Sequence, residues 1–347
     1  MTQFSDIAKA HAARTEWIDI LKGLAIFFVV LGHMPYTNES SILKTWIYSF
    51  HMPLFFVLSG FTAGISLKHS SLLDFFKKRS RSVLLPYIVW CLLSGVFFTV
   101  SVQDLVNYSW SNHLQTIIYG SVCGWFLICL YILQIYLVAY LFIATHVRIP
   151  CMKYMGAIIL FAIAYVLHKQ FGITSNHKIV YLTNAYVFFI PFFLGVALSL
   201  NKSFFKFFTS SKLLLFSAIL ICLVTPCLYK TLTFGSNYPK IIIGICTSCI
   251  LITYFTRIPP PPNQQNHPNN LIINTFAYFG RYSLGIYLLH GYFISNKLFN
   301  VHSAAEATMV YSLFTLGVCF LCVFVEKIIC LSHPLALLFF GRNSKST

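Results

Sequence analysis

The chain has 347 residues, of which 58% are hydrophobic, 17% aromatic and only 9% charged. Soluble domains carry about 25% charged residues, so this composition excludes a disordered chain and a nucleic-acid-binding domain, and argues against a water-soluble enzyme. The formal charge of +16 comes from 24 Lys and Arg against 8 Asp and Glu; in so apolar a chain it reflects membrane topology and lipid headgroups rather than a nucleic-acid partner.

A bilayer core takes about 20 mostly apolar residues per helix. Ten stretches qualify: 16–34, 45–66, 82–100, 122–145, 152–168, 179–199, 212–230, 239–256, 277–298 and 307–329. The predicted fold class is therefore all-α, a polytopic integral membrane protein with about ten transmembrane helices. Residues 1–15 are read as a cytoplasmic segment, 16–330 as the membrane domain and 331–347 as a cytoplasmic tail. With alternating spans, 17 of the 24 Lys and Arg fall on the side of the N-terminus, 6 on the other, and Lys22 lies within the first span. That bias predicts both termini in the cytoplasm. The stretch from Arg257 to Asn270, with prolines at Pro259–Pro262, reads as a loop. Among 11 cysteines, Cys246–Cys249 and Cys319–Cys322 have C-x-x-C spacing, but inside apolar helical runs this only places two small groups on one face. No His or acidic pair accompanies either, so no metal site and no disulfide framework is expected. No removable signal peptide is read at the N-terminus.

Ionisable groups within spans are costly and mark candidate functional positions. In the first span, Asp19, Lys22 and His33 fall within about 60° of one another on a helical wheel, with a rise of about 16 Å from Lys22 to His33. The plain alternative is an Asp19–Lys22 interface pair with His33 at the helix end. The second span carries His51, Pro53 and Ser59-Gly60. Pro53 can free a backbone carbonyl, and Ser-Gly lets a helix or ligand come close. The basic run Lys77, Lys78, Arg79, Arg81 before Pro86-Tyr87 suits either a positive-inside anchor or a cytoplasmic site for a phosphate-rich ligand. In the ninth span, Ser283, Tyr287 and His290 share one face, above Arg281. Glu326, near the end of the last span, is expected to pair with Lys327 or a basic loop.

Together and in this order, these pieces resemble the membrane acyltransferase type 3 family. The resemblance rests on Asp19, Lys22 and His33 in the first span, and on Phe55-Phe56-Val57-Leu58-Ser59-Gly60-Phe61 in the second. It continues with the basic loop ending in Leu84-Leu85-Pro86-Tyr87, and with Gly280-Arg281-Tyr282-Ser283 through Tyr287 and His290. The form Phe50-His51-Met52-Pro53 is similar to the fucose 4-O-acetylase-like branch. Two departures stand out. Lys22 occupies a position often held by Arg, and Arg81 is one residue out of the family spacing to Pro86, so Arg79 fits better.

The resemblance implies an acetyl-CoA-dependent O-acetyltransferase, or one using another acyl-CoA, that acts on a carbohydrate acceptor without a metal. His33 would be the general base, with direct transfer or an acyl-enzyme both open. Asp19, His51, Ser59, Tyr287 and His290 would orient the imidazole or bind the acceptor. Lys22, Lys78, Arg79, Arg81 and Arg281 would bind the coenzyme A phosphates. Membrane lipids are the other expected partner, and the bacterial inner membrane the expected location. Two rivals fit the composition: a transporter of a sugar or lipid-linked intermediate, and an acyltransferase acting on a small molecule or peptide.

Overall fold

The computed structural model describes residues 2–35, 42–97, 109–119, 124–146, 150–172, 179–234, 238–257, 271–294 and 304–342. The loop with Pro259–Pro262 and the side chains of residues 2–15 lie outside the described residues. Among those described, all regular structure is helical. The helices are α1 (Thr2–Gly32), α2 (Ile42–Leu67), α3 (Leu72–Arg79), a π-helical turn at Ser80–Leu84, α4 (Leu85–Phe97), α5 (Trp110–Tyr119), α6 (Trp125–His146) and α7 (Pro150–Phe171). They continue with α8 (Val180–Val187), α9 (Phe189–Leu200), α10 (Lys202–Phe208), α11 (Ser211–Phe234), α12 (Tyr238–Arg257), α13 (Leu271–Arg281) and α14 (Ser283–Leu289). A 3₁₀ turn at His290–Tyr292, α15 (Ala304–Ile329) and α16 (His333–Phe340) complete the chain.

Among the described residues, four helices are long and apolar enough to cross a membrane: Lys44–Leu67, Trp125–His146, Pro239–Arg257 and Ala305–Ile329. The bent pairs α8–α9 (46°) and α10–α11 (51°) raise this to as many as six if each pair is one span. The protein is thus a helical, multi-pass membrane protein, with four to six candidate spans among the described residues. Hydropathy averages over breaks. The ninth stretch is cut at Tyr282, whose N–H turns back to the Phe279 carbonyl at 3.2 Å.

The chain divides into two compact units, Met1–Phe61 with Leu194–Lys327, and Thr62–Phe193 with Ile328–Thr347. In the first unit, α1 lies against α13 with backbones touching. A Cβ on Gly23 would meet the Phe276 carbonyl oxygen at 1.8 Å, and one on Gly280 would meet the Asp19 oxygen at 1.8 Å. Phe27 closes edge-on over Phe276, with centroids 5.8 Å apart. Small residues at such crossings are how membrane helices associate where water supplies no apolar drive. Helix α2 runs unbroken through Pro53, which has no N–H for the Ser49 carbonyl. Gly244 of α12 fits against this place, where an added Cβ would lie 2.4 Å from Pro53 and 2.9 Å from the Ser49 oxygen.

In the second unit, Ser71 caps α3, its hydroxyl accepting from the Asp74 N–H at 3.1 Å. Lys77, Lys78 and Arg79 fill the last turn of α3, where cations suit the negative end of the helix dipole. A π turn follows, and α4 leads away from it. Residues 333–340, expected within a tail, form a helix with Pro334 in its first turn.

Candidate active site

Three imidazoles gather in the first unit. His33 sits one residue past α1, its N–H still reaching the Val29 and Val30 carbonyls at 3.2 and 3.1 Å. His290 follows α14, and its ring lies 5.2 Å from that of His33. His51 of α2 is joined to His33 through Tyr48, whose ring centroid is 5.2 Å from His51 and 6.4 Å from His33. Tyr287 stands 6.1 Å from His290. His51 and His290 are buried, whereas His33 is exposed. Of the three imidazoles, His33 is therefore the one open at the protein surface.

Hydrogen bonding fixes the tautomers of the buried pair. His290 Nδ1 meets the Ile286 carbonyl at 3.0 Å, and His51 Nδ1 meets the Ile47 carbonyl. A carbonyl only accepts, so each Nδ1 carries the hydrogen and, in the neutral ring, each Nε2 is left with a lone pair. Two fixed acceptors of this kind can orient a neighbouring N–H or a substrate hydroxyl.

Tyr48 was missed by the sequence reading. Its hydroxyl donates to the Gly32 carbonyl at 3.3 Å, which ties α2 to the turn bearing His33. Tyr311 of α15 does the same one turn further on, donating to the Pro35 carbonyl at 2.8 Å. The signal available was spacing: Tyr48 lies three residues before His51, on the same helix face.

Asp19 and Lys22 lie farther down α1. The charged neighbours of the Asp19 carboxylate are Lys22 and Arg281, brought there by the Gly280 contact. Lys22 and Arg281, both expected among the phosphate-binding residues, thus lie close enough to act on the Asp19 carboxylate. Ser59 is separated from His51 by about 12 Å of helix. Its segment meets Gly195 of α9, where a Cβ would come within 1.9 Å of the Val57 oxygen; the Ser-Gly pair therefore lies at a helix crossing. Ser283 starts α14, about two turns before His290. Glu326 is fully buried, and Gly285 makes its space: a Cβ there would stand 1.8 Å from the carboxylate oxygen. Lys327, its expected partner, places its ammonium over Tyr278 and Tyr282, 5.2 and 5.6 Å from their ring centroids.

The basic cluster lies in the second unit. The guanidinium of Arg79 rests over the Phe75 ring at 5.0 Å. Its Nε is buried without a hydrogen-bond partner, and burial lowers its pKa from the ordinary arginine value. Both features suit an anionic ligand supplying the missing acceptor. Lys78 and Arg81 are exposed beside it. The Ser80 hydroxyl meets the Tyr131 hydroxyl at 2.8 Å, so the turn packs about 9 Å along α6 from its first residue. The turn at Ser80–Leu84, between Arg79 and Pro86, is π-helical. Among the described residues, no group of three or more His, Cys, Asp or Glu is placed to hold a metal ion.

A family model described as an acyltransferase domain matches residues 15–327. The nodulation protein NolL of Sinorhizobium fredii (strain NBRC 101917 / NGR234) is 36% identical over 83 residues, 22% of this chain and 23% of that protein. NolL of Mesorhizobium japonicum (strain LMG 29417 / CECT 9101 / MAFF 303099) is 32% identical over 83 residues, 22% of each chain. The chain thus spans less than a quarter of the length of these curated relatives in the matched region. No solved structure matches it. With the family model covering the chain from its first apolar helix to the end of its last long one, the protein belongs to the type 3 acyltransferase family.

Proposed function

We propose that the chain is an O-acyltransferase of a bacterial inner membrane, moving an acyl group, acetyl by preference, from cytoplasmic acyl-coenzyme A to a hydroxyl of a cell-surface or lipid-linked carbohydrate. The observation that carries this reading is the exposed His33 imidazole set against two buried imidazoles of fixed tautomer. Acyl transfer from a thioester needs a base for the acceptor hydroxyl and an acid for the departing thiolate. His33 takes the hydroxyl proton as the new C–O bond forms, and returns it to sulfur as the C–S bond breaks, leaving an ester and a free thiol. The Nε2 atoms of His51 and His290 hold the ring and the acceptor in register. The Tyr48 hydroxyl, on a long bond to Gly32, is the nearby donor for the developing oxyanion, and Tyr287 lines the acceptor side. Asp19 with Lys22 and Arg281 steadies the inner half of α1, while Lys78, Arg79 and Arg81 bind the donor's phosphates.

The test is transfer of labelled acetyl from acetyl-coenzyme A to surface glycan by the purified protein in lipid. The wild type should transfer label, and His33→Ala should lose at least about 100-fold. Near-normal transfer by His33→Ala overturns the base assignment. Labelled sugar crossing a vesicle membrane with no ester formed would replace the enzyme by a transporter.

A further inference from the structure

The C-terminal helix α16 lies beyond the residues that the family model matches, yet it is docked on the basic turn within the second unit. The Trp90 indole N–H of α4 donates to the Phe339 carbonyl at 3.0 Å, and the Trp90 ring meets that of Phe339 edge-on at 5.3 Å. Ala336 and Phe340 are buried. The helix ends in a left-handed glycine, Gly341 at φ +64°. The Gly341 N–H returns to Leu337 at 2.9 Å, and the Arg342 N–H to Ala336 at 3.2 Å, a closure that glycine permits.

Gly341 is needed for a second reason. A Cβ there would lie 2.4 Å from the Arg81 carbonyl oxygen and 2.6 Å from Ser82 Cα. That carbonyl is exposed to the approach by the local helix geometry. The Leu85 N–H is taken by Ser80, and Pro86 has no N–H to donate. The chain therefore closes directly over the backbone of the π turn, and half-buried Arg342 is the residue that follows this contact, on a turn preceded by Lys77, Lys78 and Arg79 at the end of α3. Asp74, the acid of α3, is engaged with its cap, accepting from the Ser71 hydroxyl at 2.6 Å. Cations gathered from two separate stretches of chain, one with a buried Nε lacking an acceptor, match a ligand with several phosphates.

We infer that Arg342 is a further binding residue for the polyphosphate portion of the donor, placed by the docked helix His333–Phe340. The inference rests on the donor-site reading above and deepens it. Arg342 adds a guanidinium fork that the loop motif alone does not supply. The Trp90–Phe339 bond and the Gly341 contact hold it in register with Arg79 and Arg81.

The test is coenzyme A binding to the full-length protein in detergent, by calorimetry at two salt concentrations, with melting temperature measured without ligand. Arg342→Gln should weaken coenzyme A about tenfold, as loss of one charge-assisted contact does, and flatten the salt dependence, with the melting temperature unmoved. Arg342→Lys, which keeps charge but not the fork, should recover part of the affinity. Unchanged affinity in Arg342→Gln with weakened binding in Arg79→Gln overturns the inference alone. Unchanged affinity in both overturns the donor-site reading beneath it. A loss matched by a lower melting temperature and not relieved by lysine makes Arg342 structural, which also overturns the inference.

Discussion

Replacing Gly280 by alanine puts a methyl group where α1 and α13 touch. The new carbon would stand 1.8 Å from the Asp19 oxygen, 2.6 Å from its carbonyl carbon and 2.9 Å from its Cα. A relaxed carbon–oxygen contact is about 3.3 Å, so the helices must part by about 1.5 Å. All three obstructing atoms are backbone, and no side-chain rotation can relieve them. Overpacking of this kind costs about 1–3 kcal/mol. The larger effect falls on chemistry. His33 ends α1, and His290 follows the helix continuing from α13, with rings 5.2 Å apart. A misplacement of about 1 Å costs on the order of 100-fold in rate. Gly280→Ala should therefore lose about two decades of acyl transfer while still folding. Gly317→Ala is the control, because a Cβ at Gly317 meets nothing within 4 Å; it should keep its rate and gain slightly in stability. Initial rates in lipid, with melting temperatures on the same preparations, decide the matter. A Gly280→Ala protein as active as Gly317→Ala would refute the claim that this crossing sets the imidazole geometry.

Two further outcomes follow from the same geometry. Tyr48→Phe removes only the hydroxyl bound to Gly32, and should lower the turnover number about tenfold with the donor KM unchanged, the pattern of a group acting in the transition state; an equal change in both constants would reduce Tyr48 to packing. Gly341→Ala places a side chain at φ +64°, costing about 1–2 kcal/mol before the contact with Arg81 is counted, and should raise the donor KM while leaving turnover at saturation intact. A rise in KM for the carbohydrate instead would separate the C-terminal helix from the donor.

What the sequence disclosed, it disclosed through cost. His33, His51 and His290 stand out because an imidazole in an apolar run is expensive unless partnered, and the structure brings all three together. Tyr48 carries no such signal. It is one of 20 tyrosines, at a depth where tyrosine is ordinary, and only its bond to Gly32 sets it apart. Ser59 was singled out for the small pair it forms with Gly60, and that pair faces a helix crossing at Gly195. Helix breaks left no mark on the span reading. Tyr282 interrupts the ninth stretch and Phe188 the sixth, and a hydropathy window passes over both. The C-terminal helix escaped for a related reason. Eight residues from His333 to Phe340 are too few to read as a span, and the groups that hold them, Trp90 and the Arg81 carbonyl, lie far away in sequence.

The glycine contacts of the first unit show why scaffold and site are hard to separate in this protein. In lipid, helices gain little from burying apolar surface against one another, so association rests on close backbone packing. Here Gly23 faces the Phe276 carbonyl, Gly280 that of Asp19, Gly244 that of Ser49 and Gly195 that of Val57. Three of these four carbonyls belong to α1 or α2, the helices that present His33 and His51. The contacts that assemble the bundle therefore also set the height and rotation of the imidazoles. A methyl group at any of them shifts the helix as a unit, because a helix transmits displacement along its length rather than absorbing it locally. Loss of activity should then precede loss of folding across the glycine set, whereas substitutions at lipid-facing positions such as Leu313 and Phe324 should touch neither.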